Sequence, residues 1–113
     1  MTSPYANEFA DNFSEMVVSL DTVPAQLDYF TAELPANKGY QAILAMGHHA
    51  LPYMFLRMWA GVRWSWTMNF AAAKITGIDM RANPDWDIST GEDGLSVLWV
   101  HWWEKNYNDP KWK

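Results

Sequence analysis

Residues 38–60 read KGYQAILAMGHHALPYMFLRMWA, and this stretch decides the class of fold. The eighteen residues between Lys38 and Arg57 carry no Asp, Glu, Lys or Arg, which reaches the length of a membrane span. Gln41, His48, His49, Gly39, Gly47 and Pro52 dilute the apolar residues too far for that, and Arg57 and Arg63 follow closely. The stretch therefore reads as a buried central helix, apolar almost all round because other helices surround it. Pro52 has no N–H to donate, and its ring clashes with the carbonyl four residues back. A kink or a break near His48 is expected.

On the N-terminal side, Ser3-Pro4 forms a cap followed by proline at the first helical position. Tyr5, Phe9, Met16, Val17 and Leu20 then share one face of a helix over residues 4–20, with Glu8, Asp11 and Glu15 on the other. Those three carboxylates read as a solvated face. Asp21 and Thr22 offer a second cap with Pro24 just inside, and Val23, Leu27, Phe30 and Leu34 repeat at helical spacing until Pro35. The two amphipathic helices make a helical hairpin.

On the C-terminal side, Gly61 is a weak point before a segment from Val62 to Thr76, and Gly77-Ile78 has the form of a Schellman stop. Residues 79–91 read as an ordered loop with Trp86 and Ile88 as apolar anchors, and Thr90 to Asp93 resembles a helix start. Leu95 to Asn106 reads as a final helix. Its β-branched and aromatic content keeps a strand as the alternative. The expected fold is all-α: a small orthogonal array of four to five helices in one domain, 1–113. In it a helical hairpin packs on a long Pro-kinked central helix, followed by a Trp-rich C-terminal helix.

Composition narrows the function classes. The 113 residues carry a net charge of -5 with no basic stripe, so nucleic acid is not an expected partner. There is no cysteine, which removes disulfides, thiolate nucleophiles and Cys-based metal sites. Met1 to Glu15 is polar and acidic, without the pattern of a signal peptide, and a cytoplasmic location is expected. No phosphate loop, nucleophile elbow, zinc-protease or EF-hand pattern occurs.

Eight tryptophans dominate what remains, in a chain too short to enclose them all. The leading reading is a non-catalytic accessory subunit or binding module that docks onto a larger protein complex, or onto a second copy of itself, through an aromatic surface. Arg63, Trp64, Trp66, Trp99, Trp102 and Trp103 are the expected partner-binding residues. The second reading is a metal- or haem-binding domain or enzyme subunit that uses His48, His49 and His101 with Glu104 as a carboxylate ligand. A third is contact with a membrane surface through Trp99, Trp102, Trp103, Tyr107 and Trp112, helped by Lys105, Lys111 and Lys113. Trp86, between Asp85 and Asp87, has the ingredients of an aromatic cage for a quaternary ammonium or a sugar.

Overall fold

Ser3 opens the first helix: its hydroxyl accepts the N–H of Tyr5 at 3.2 Å, and Pro4 follows where a missing N–H costs nothing. The computed structural model describes residues 3–22 and 34–113. Helix α1, Pro4–Asp21, buries Phe9, Phe13, Met16 and Leu20, and leaves Glu8, Asp11 and Glu15 in water. The helix expected between the Asp21-Thr22 cap and Pro35, and the hairpin it would make, lie outside the described residues except that 34–36 are helical.

Helix α2, Lys38–Met46, is tied to α1 at its first turn. The Asn37 side chain accepts the Tyr40 N–H at 3.0 Å, which caps α2, and donates through Nδ2 to the Met16 carbonyl at 3.3 Å. Gly39 sits at the point of closest approach. A Cβ there would lie 2.4 Å from the Met16 nitrogen and 2.5 Å from the Asn12 carbonyl oxygen. Burial beside this contact pushes the Tyr40 phenol up to about 12 from its ordinary value of 10.0.

That shift fixes the sign of an alkaline effect. Below pH 10.0 the phenol is protonated whether the chain is folded or not; between there and about 12 only the folded chain keeps the proton. Stability should therefore fall across this window as pH rises, by roughly 1.4 kcal/mol per pH unit at its steepest. Urea denaturation of wild type and Tyr40→Phe over this range checks it, since the difference between the two curves should carry the slope.

Gly47 ends α2 with φ of 60° and ψ of -138°, a conformation in which glycine has no Cβ to clash. A 3-10 turn, Gly47–Ala50, follows, and helix α3, Leu51–Ala60, starts afresh with Pro52 in its first turn. The long Pro-kinked central helix expected over residues 40–60 is thus two helices. Pro52 begins the second rather than bending a continuous one, because a first-turn N–H has no intrahelical acceptor to lose. The backbone contacts gather into two compact units divided in the chain at this break, Met1–Gly47 and His48–Lys113.

In the second unit, α3 packs on helix α5, Gly91–Asn106, while helix α4, Met68–Thr76, contacts both. Gly77 stops α4 as expected, in the left-handed conformation at φ 75°, with its N–H donating to the Ala73 carbonyl at 2.9 Å. Between α4 and α5 the chain makes two 3-10 turns, Met80–Ala82 and Ile88–Thr90. Met80 is the buried anchor of that loop; Ile88, expected to be one, is 74% exposed. The last element is a helix, and no strand occurs among the described residues. The all-α class is established. Among the described residues no helix is long and apolar enough to cross a membrane.

Candidate functional site

The main concavity of the second unit begins where α3 ends. Gly61 caps that helix in the left-handed conformation, its N–H donating to the Met58 carbonyl at 3.1 Å, and the chain turns through Val62 and Arg63 to Trp64. Trp64 has φ 65° and ψ 7°, the one non-glycine residue with positive φ in the described chain. A bulky side chain costs about 1–2 kcal/mol in that region. The conformation is held from Thr67, which is fully buried: its hydroxyl donates to the Trp64 carbonyl at 2.6 Å and its N–H donates to the same oxygen at 3.0 Å. The turn thereby brings Trp64 and Trp66 together, with ring centroids 6.0 Å apart, and Trp66 continues edge-on to Phe70 at 6.1 Å.

Helix α5 forms the facing wall. Asp93, Val97, Val100 and Glu104 follow one another at spacings of four, three and four, which places them on one stripe. Ser96 and His101 flank it. Between this stripe and Met58, Trp59, Val62, Trp64 and Trp66 lies an open groove of about 780 Å³. Three of its apolar side chains face water to an unusual degree: Trp59 is 74% exposed, Val97 53% and Val62 38%. The Arg63 guanidinium lies over the Trp64 ring at 5.4 Å, while Asp93 and Glu104 are exposed on α5.

The residues expected to bind a partner therefore fall into two places. Arg63, Trp64 and Trp66 line the groove, and so do His101 and Glu104 from the expected metal set. Trp99, Trp102 and Trp103 instead belong to a ring cluster on Phe55. Trp99 stacks on Phe55 at 5.8 Å, Trp102 lies 6.0 Å and Trp103 5.2 Å from the same ring, and Trp112 meets Trp102 edge-on at 5.3 Å. Trp99 is 0% exposed, so it is a core residue and cannot touch a partner. Trp112 is buried too, which removes two of the rings that a membrane-surface contact would need. Trp102 and Trp103 are half-buried.

The histidines do not converge. His48 sits in the Gly47–Ala50 turn with its ring edge-on to Trp112 at 5.2 Å, His49 is exposed beside it, and His101 is exposed on α5. Among the described residues no three His, Asp or Glu side chains form a group that could hold a metal ion. Trp86 does not cage an outside cation, because its own chain supplies one. Arg81 lies 5.6 Å from the Trp86 ring and 4.9 Å from that of Phe70, and pairs with Glu92 at 2.6 Å. Glu92 also accepts from Asn69 Nδ2 at 2.9 Å, and the Trp86 indole N–H donates to the Gly91 carbonyl at 3.1 Å. Asp87 is turned into the loop as well. Hydrogen bonds from the Ser89 hydroxyl and then its N–H hold the Asp87 carboxyl below the usual range.

Trp59, Val62, Asp93, Val97 and Val100 are among the groove residues not expected from the sequence. The four- and three-residue spacing of Asp93, Val97, Val100 and Glu104 is a helical stripe, but nothing near it in sequence says what α3 and the Trp64 turn place opposite it. No protein-family model, curated protein or solved structure matches the chain.

Proposed function

We propose that the chain is a non-catalytic binding module that docks a partner protein in the groove between Trp59 and the Asp93–Glu104 stripe of α5. The observation that carries this reading is Trp59, a large indole left 74% exposed on the rim of a groove in which Val62 and Val97 are exposed as well. Leaving such a ring in water forfeits much of the free energy that its burial would supply, and contiguous apolar surface of this kind marks interaction sites. Trp64 adds support. Glycine would occupy its backbone conformation without cost, so a tryptophan there favours placement of the ring over stability.

A photoactivatable residue at Val97, used in native extract beside the same probe at exposed Val18 of α1, should cross-link one stoichiometric protein from position 97 alone. With that protein purified, Trp59→Ser should weaken binding by roughly 30-fold or more, as truncation of a tryptophan hot spot does. The circular dichroism spectrum and melting temperature should not change. A partner whose affinity survives both Trp59→Ser and Val97→Glu would overturn the assignment of the groove.

A further inference from the structure

We infer that the occupant of this groove is a single helical segment of a partner protein whose apolar face is bounded at both ends by lysine or arginine; the inference rests on the groove being a docking site. The α5 wall has a charge pattern of its own. Its middle is apolar, Val97 and Val100, and a carboxylate stands at either end, Asp93 and Glu104. Eleven positions of helix separate the two carboxylates, a distance of about 16 Å along the axis. Neither is engaged in an ion pair among the described residues; the Arg81 pair uses Glu92, which lies off the stripe. The guanidinium that lines the groove, Arg63, lies over Trp64 on the opposite wall.

A partner that fills this groove must place apolar side chains over Val97, Val100 and Trp59 and bring positive charge to both ends. A ligand with acidic ends would meet Asp93 and Glu104 as like charges and lose affinity for that reason. The conformation of the occupant follows from what the walls offer. Within α5 the backbone N–H and C=O groups are spent on the helix itself, so there is no sheet edge on which an extended strand could add. What remains is an apolar trough beside a helix, three turns long, in which a second helix lays residues at i, i+3, i+4 and i+7. Cations at i and i+11 of such a helix span the same length as Asp93 and Glu104.

Three synthetic peptides test this by titration against the full chain. One is a leucine-faced helix with lysine at positions i and i+11, the second is identical but carries glutamate there, and the third is proline-rich with the lysines set the same distance apart. Each exposed ion pair changes affinity by a factor of about two to five at low salt, so the lysine helix should bind roughly tenfold more tightly than the glutamate helix. The gap should close as salt is raised. The Asp93→Lys, Glu104→Lys double variant should invert the preference, with both changes at exposed positions and the circular dichroism spectrum checked because Asp93 lies in the first turn of α5. Equal binding of the two helices, no inversion, or tighter binding of the proline-rich peptide would overturn the inference while leaving the groove a docking site. If Val97→Glu leaves the affinity of the lysine helix unchanged, the groove itself is not where the peptide binds, and the reading on which the inference rests falls.

Discussion

Gly39→Ala should cost roughly 3 kcal/mol or more and should release α2 from α1, although in an isolated helix the same change would gain about 1 kcal/mol. The two effects have opposite sign, and the close approach decides between them. A Cβ at position 39 would stand 2.4 Å from the Met16 nitrogen and 2.5 Å from the Asn12 carbonyl oxygen. Both are backbone atoms, so no rotamer change relieves the clash, and the helices must part by about 1 Å to restore ordinary contact. Parting them also lengthens the Asn37 to Met16 hydrogen bond and opens the packing over Met16, which is 0% exposed. The expected result is a lower urea midpoint together with faster amide exchange throughout α1 and α2. Ala45→Gly, at an exposed position of α2, is the control and should cost only about 1 kcal/mol. Gly39→Ala as mild as that control would show that the helices do not meet at Gly39.

Trp99→Ala should be the most damaging substitution in the second unit, at about 3–5 kcal/mol, against a total of about 5–15 kcal/mol for a domain of this size. Trp99 is completely buried, stacked on Phe55 and edge-on to Trp102 at 5.6 Å, so its loss leaves a cavity that two rings on one side cannot fill. Trp99→Phe should be much milder, roughly 1–2 kcal/mol, for two reasons. It keeps most of the ring contact, and it removes an indole N–H that finds no acceptor among the described residues. Thermal melts of the two variants check the ordering. Alanine and phenylalanine variants of equal stability would mean that the ring does not fill the core as described.

These expectations show which parts of the chain could be read in advance. The start of α1 at Ser3-Pro4, the stop of α4 at Gly77 and the acidic first turn of α5 depend on local chemistry, and a local reading finds them. The break after Met46 was half legible, since Pro52 announces a disturbance but Gly47 determines where the helix ends. Gly39 was not legible at all, because nothing near it in sequence says that Asn12 and Met16 lie against it. The tryptophans were misjudged in part for a related reason. Trp99, Trp102 and Trp103 of α5 gather on Phe55, and Asp93, Val97, Val100 and Glu104 share a face turned to the groove, but in residues 95–106 apolar side chains stand on both. Only the position of α3 separates core from surface. Trp64 carried no warning either, because a left-handed tryptophan is imposed by Thr67 and not preferred by the residue itself.

The edge-on contact between His48 and Trp112 joins the first residue of the second unit to nearly its last. A segment whose two ends touch makes no demand on the chain that carries it. It can be set into a surface loop of another protein, or have its ends joined and a new opening cut elsewhere, without stretching any helix. His48–Lys113 has in this respect the geometry of a transplantable part, with the Trp59 groove travelling inside it as a self-contained cargo.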